Sequence, residues 1–205
     1  DKQRKIAMKG EKLMAVIGAV LGDIAGSQFE FNRPENLDYK HCELFTNRCS
    51  YTDDTIMTLA VKKAILENAD FTKTMREVGQ PYPYSGYGGR FYEWMYGENP
   101  KPYNSFGNGS AMRVSFVGEH FDALEDVISM AEKSAEVTHN HPEGIKGAVV
   151  TAVCIWMARH GKTKEDIFQY VLEQYPAEKY EYSIAVPLDK LEKIYQWNET
   201  CMGSV

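Results

Sequence analysis

Hydroxyl and carboxylate side chains stand in a row at Thr52-Asp53-Asp54-Thr55. Behind them, apolar residues at Met57, Ala60, Val61, Ala64 and Ile65 recur at i, i+3, i+4 and i+7, with Thr58, Lys62, Lys63 and Glu67 on the other face. That spacing predicts an amphipathic helix over residues 55–68. The acidic pair then sits at a helix N-terminus, where Thr52 or Asp53 can cap free N–H groups and the remaining acid complements the macrodipole. Capping accounts for only one or two of these residues. Adjacent carboxylates repel one another unless a cation lies between or beyond them, and an oxygen-only donor set suits Mg²⁺, Mn²⁺ or Ca²⁺ and not zinc.

Three further stretches carry candidate chemistry. Residues 14–27 are almost all small or apolar and read as a buried core helix, with Gly18, Gly22 and Gly26 on one face to admit a neighbouring backbone. Asp23 is its sole charge, so it is expected to be paired, bonded to a helix end or used. Glu30 follows between Phe29 and Phe31, a pattern that fits a surface acid between core aromatics as well as a site residue. The Gly-rich segment Ser105-Phe106-Gly107-Asn108-Gly109-Ser110-Ala111-Met112-Arg113 resembles a phosphate-cradling loop, in which backbone N–H groups converge and Arg113 supplies positive charge. It carries neither a Walker motif nor a G-x-G-x-x-G after a strand. At Thr138-His139-Asn140-His141, two histidines at i, i+2 could ligate a metal, but with no third soft ligand nearby they are better suited to hydrogen bonding a substrate or a helix end.

The elements that must position these groups are helical. Periodicity predicts a helix over 123–136, another opened by Pro142 and stopped at Gly161, and a third opened by a Thr163/Asp166 capping box and ending before Pro176. A shorter pattern spans 70–79. Residues 35–50 form a long polar loop, and 80–90 a Gly/Pro-rich loop crowded with Tyr82, Tyr84 and Tyr87 that packs on the body or lines a pocket. No strand-like alternation occurs, so the chain is expected to be all-α, one domain over 14–205 preceded by a leader or cloning remnant over 1–13.

Composition excludes several classes. The 205 residues are 43% hydrophobic and 25% charged, with 29 acidic against 23 basic side chains and a net charge of −6. An acidic chain without a basic run disfavours general nucleic-acid binding. The apolar stretch from Leu13 to Leu21 is too short to span a bilayer. Cys42, Cys49, Cys154 and Cys201 show no C-x-x-C spacing and read as reduced thiols of a cytoplasmic protein.

Together, Gly22-Asp23-Ile24-Ala25-Gly26 with Glu30, Thr52-Asp53-Asp54-Thr55, Gly107-Asn108-Gly109-Ser110-Ala111-Met112-Arg113 and Thr138-His139-Asn140-His141-Pro142 resemble, in order, the motifs of the ADP-ribosylglycohydrolase family. The resemblance covers residues 14–205. It implies an all-α fold and a cleft holding two divalent cations, Mg²⁺ or Mn²⁺, on Thr52, Asp53, Asp54 and Glu30. Glu30, Asp53 and Asp54 would carry catalysis; Gly107, Asn108, Gly109, Ser110, Met112, His139 and His141 would contact the substrate. The implied reaction hydrolyses the glycosidic bond from ADP-ribose to a protein side chain or a related ADP-ribosyl compound. The family's C-terminal Asp-x-Asp-Thr has no counterpart, since no Asp-x-Asp occurs and the last Asp is Asp189. A shortened version of the fold is therefore expected, with an ADP-ribose- or nucleotide-binding relative of little or no turnover as the alternative. A purely structural relative would not require the Gly-Asn-Gly loop and the histidines.

Overall fold

The computed structural model describes residues 14–30, 34, 37–38, 40–196 and 198–205. The expected leader over 1–13 and the loop residues Phe31, Asn32 and Arg33 lie outside them. Helix α1 spans Met14–Glu30, α2 Asp53–Glu67, α3 Phe71–Gly79, α4 Gly89–Tyr96, α5 Gly109–Met112 and α6 Ser115–His120. They are followed by α7 Leu124–Glu136, α8 Pro142–Arg159, α9 Lys164–Gln174, α10 Leu188–Ile194 and α11 Cys201–Ser204. Among the described residues there is no strand, only a lone antiparallel bridge between Gly107 and Thr200. The chain is all-α.

Local chemistry sets the boundaries. Thr52 caps α2 by accepting from the Asp54 N–H, and Asn68 ends it in the left-handed region at φ 49°. Pro142 opens α8 behind a His141 cap, Gly161 follows it at φ 72°, and Thr163 and Asp166 form the reciprocal capping box that starts α9. The short helices α4, α5 and α6 begin in or beside glycine-rich sequence that carries no helical period, and tertiary packing forms them. Tyr87, Phe91 and Trp94 stack in succession at 5.6 and 5.3 Å, which ties α4 to the core.

Helix α8 is the hub, packed against α5, α6, α7, α9 and α11, while α2 packs on α1, α3 and α6. The core joins Ile56, Met57, Ala60 and Val61 of α2 to Met75, Trp94, Met95, Val117, Val127 and the Ala148–Val153 segment. Close helix approach falls at glycines other than those expected. A Cβ at Gly118 would strike the Ala152 carbonyl, and one at Gly147 would strike Cys201 Sγ. At Gly18, Gly22 and Gly26 a Cβ would meet nothing within 4 Å, and Ile17 and Leu21 beside them are 53% and 49% exposed. The expectation of a fully buried α1 is thus corrected. Its Val16 and Gln28 sides are buried, and among the described residues nothing covers its glycine face.

Candidate active site

Two helix termini meet at the acidic site, and the carboxylate between them is Asp23 on α1. It accepts from Thr52 N–H at 2.8 Å, Thr52 Oγ1 at 2.6 Å, Thr55 N–H at 3.2 Å and Thr55 Oγ1 at 2.5 Å. One half-buried acid therefore satisfies free donors at the start of a different helix and locks α2 to α1. The polar loop before Thr52 is held to the same helix. Gln28 Nε2 donates to the Glu43 and Leu44 carbonyls, and Ser27 Oγ accepts from Ser50 N–H at 3.0 Å.

Thr52 is committed to this framework, its hydroxyl shared between Asp23 and, at 3.3 Å, Asp54 Oδ2. Asp53, Asp54 and Glu30 remain to face the cleft. Asp53 N–H donates to Ser85 O at 2.7 Å, and Gly86, at φ 93°, lies against its carboxylate, so the tyrosine-rich loop forms the rim. Gly86 suits this position because only glycine adopts that backbone at no steric cost.

The carboxylates repel one another. Burial, then Asp54 and Glu30, push Asp53 up to about 7. Burial and then Asp23 raise Asp54, against the opposing Thr52 hydrogen bond, and burial, Asp54 and Asp23 raise Glu30. Such a set fits a hard dication by its chemistry, oxygen donors carrying unneutralised charge. Among the described residues no three acid, His or Cys side chains are grouped closely enough to hold a metal ion by themselves.

The cleft has a volume of about 950 Å³ and runs from Asp23, Glu30, Asp53 and Asp54 to the Gly107-Asn108-Gly109 loop, Met112 and His139. The loop is braced from behind by the C-terminal stretch. Asn108 N–H donates to Glu199 O at 2.7 Å, Cys201 N–H to Phe106 O at 2.9 Å, and Gly107 N–H to Ser105 Oγ at 3.2 Å. The N–H groups of Gly107 and Asn108 are therefore occupied within the protein, unlike the free cradle that the glycine pattern suggests. Two sequence candidates are not among the residues that line the cleft. Ser110 is wholly buried and donates to Gly144 O at 2.6 Å; His141 caps α8 by accepting from Glu143 N–H and rests 5.2 Å from the Phe106 ring. Arg113 is not a loop cation but lies beneath the loop with no exposed surface, and burial lowers it to about 10.

Beyond the residues assigned from the motifs, the cleft also uses Arg90, Tyr103, Phe106, Glu199 and Thr200. Arg90 donates to the Tyr103 carbonyl and lies 4.8 Å from that ring. No periodicity or spacing marks these positions; only tertiary contact brings them to the wall.

Comparison with known proteins agrees with this architecture. The chain matches mouse ADP-ribosylhydrolase ARH3 at 30% identity over 183 residues, covering 74% of this chain and 50% of that protein. It matches the human ARH3 at 29%, again over 74% and 50%. A putative ADP-ribosyl glycohydrolase, L543 of Acanthamoeba polyphaga mimivirus, is 23% identical over 91% of this chain and 67% of its own length. The chain spans about half the length of the ARH3 relatives it matches. A solved ADP-ribosylglycohydrolase-related protein complex shares the fold with a TM-score of 0.62 at 22% identity, covering 78% of this chain and 60% of that one. The model of the ADP-ribosylglycohydrolase family matches residues 9–203, and the chain belongs to that family.

Proposed function

We propose that this cleft hydrolyses the bond between the anomeric carbon of ADP-ribose and a protein side chain or related acceptor, with the help of Mg²⁺ or Mn²⁺. The observation that carries the reading is the juxtaposition of Asp53, Asp54 and Glu30 with the Gly107–Gly109 loop and His139 in one cleft. Asp53, Asp54 and Glu30 would each give the cation part of its shell, directly or through water, with Thr52 holding Asp54 and Asp23 in register. Bound there, the cation supplies positive charge for ribose hydroxyls and an attacking water.

The protein's own groups do the rest. Glu30, at the end of α1 on the cleft rim and with a raised affinity for its proton, accepts a proton from water. Asp53 and Asp54 offer negative charge to an anomeric carbon that becomes oxocarbenium-like as its bond breaks. Gly107, Gly109, Met112, the Asn108 side chain and His139 form the wall along which the diphosphate and its ribose lie, and Tyr103 and Phe106 add planar surface. The four cysteines are free, which suits a reducing, cytoplasmic setting. No described helix is long and apolar enough to cross a membrane.

The test is release of ADP-ribose from an ADP-ribosylated protein mixture, with Mg²⁺ and with EDTA. Release that needs Mg²⁺ and is abolished by Asp53→Ala supports the proposal; release equal in both conditions, or unaffected by Asp53→Ala, refutes the cation role. The partial ligand set favours one second reading, an ADP-ribose-binding chain without turnover. Calorimetric binding of ADP-ribose with no release would select it.

A further inference from the structure

Arg113 has no carboxylate against it among the described residues. Its Nη2 donates to Ser134 O at 2.8 Å and to Thr138 Oγ1 at 2.9 Å, while Nε and Nη1 are buried without a partner. Thr138 is itself fully buried, and its Oγ1 lies 2.7 Å from His139 Nδ1. A guanidinium can only donate, so Thr138 Oγ1 accepts from Arg113 and keeps one proton of its own to give. His139 Nδ1 is the acceptor beside it. If Nδ1 carried a proton instead, the Thr138 hydroxyl proton would have no acceptor in a dry pocket, an arrangement disfavoured by about 1–3 kcal/mol.

We infer that Arg113 and Thr138 form a positioning relay that fixes His139 in the Nε2–H tautomer and so presents a permanent donor to an oxygen acceptor of the ligand. The Nε2 edge of the ring faces the glycine loop, because a Cβ at Gly109 would lie 3.1 Å from Nε2 and one at Gly107 3.8 Å from it. Among the described residues Nε2 has no partner, and His139 lines the cleft. Charge secures the same state. The groups facing the ring are Arg113, Arg90 and Tyr103, and burial followed by the two guanidinium groups lowers His139 to about 3. The ring stays neutral, so the donor is not lost or duplicated as pH changes. The chemistry selected at this point is an acceptor oxygen, such as a phosphoryl or ribose oxygen, and a ligand offering only a donor is rejected.

The identity of the ligand rests on the proposed ADP-ribosyl reading; the tautomer does not. The test is long-range ¹H–¹⁵N correlation of the histidine rings in the ligand-free chain, with His139→Asn to assign the signal. The expected result is a protonated Nε2 and a bare Nδ1, unchanged between about pH 8 and about pH 5, where an ordinary histidine titrates. Thr138→Ser keeps that pattern. Thr138→Val mixes the tautomers and weakens ADP-ribose binding about tenfold, the equivalent of one hydrogen bond. A protonated Nδ1, or an imidazolium near neutral pH in the wild-type chain, overturns the relay and needs no variant to fold. The Nε2–H pattern in a chain that neither binds nor releases ADP-ribose supports the relay and overturns the proposed activity instead.

Discussion

Replacing Asp23 by alanine removes a carboxylate that accepts from two backbone N–H groups and two hydroxyls at the start of α2. Loss of a side-chain cap alone destabilises by about 0.5–2 kcal/mol. Hydrogen bonds to a charged acceptor contribute about 1.5–3 kcal/mol each, but they are not additive, and the Thr52 hydroxyl can turn to Asp54 or to water. Removing Asp23 also relieves its repulsion of Asp54 and Glu30, which offsets part of the loss. The net expectation is a loss of about 3 kcal/mol. For a chain of this size the urea dependence is about 2 kcal/mol per molar, so the midpoint of urea unfolding should fall by about 1.5 M. Asp23→Asn keeps one acceptor oxygen but turns an amide toward donors, and should fall between. An unchanged midpoint for Asp23→Ala would refute the claim that α2 is locked to α1 by this carboxylate. Equal stability of the Asn and Asp forms would refute its electrostatic half.

Other outcomes follow from the same geometry. Asp53 binds its proton more tightly folded than unfolded, because its folded value of about 7 lies above the ordinary carboxylate value. Without divalent cations, stability therefore falls as pH rises from about 4 through about 7, and both Asp53→Asn and saturating Mg²⁺ flatten that slope in thermal melts. Gly147→Ala places a Cβ against the Cys201 side chain and should lower stability by about 1–3 kcal/mol in urea unfolding while unseating α11 and the loop it braces. Gly18→Ala meets nothing within 4 Å on the exposed face of α1 and should raise stability by about 1 kcal/mol. A destabilised Gly18→Ala would mean that this face is covered in solution.

The parts of this protein that its sequence makes legible are those governed by near neighbours. The α2, α7, α8 and α9 helices follow from 3.6-residue periodicity and from caps at Thr52, Pro142 and Thr163, all signals contained within a turn or two of helix. Asp23 shows itself as a lone charge in an apolar run, and its hydrogen bonds meet the expectation that such an acid is bonded to a helix end; which helix end lies about thirty residues away and has no local signature. The glycines of α1 suggest close packing from spacing alone, yet the glycines that other elements press against lie elsewhere, Gly118, Gly144 and Gly147 among them, because contact depends on which segments α8 meets. Arg113 illustrates the same limit. Its position at the end of the glycine-rich segment suggests a phosphate-facing cation, whereas the fold buries it on Ser134 and Thr138 and leaves it to act through His139.

The most direct test of the account is a crystal structure of this chain with ADP-ribose and Mn²⁺, reading the metal from its anomalous scattering. The account predicts manganese against Asp53 and Asp54, the reacting ribose beside it, and the diphosphate running toward Gly107, Gly109 and His139. Manganese on other acids, with ADP-ribose absent from this cleft or bound elsewhere on the molecule, would contradict it.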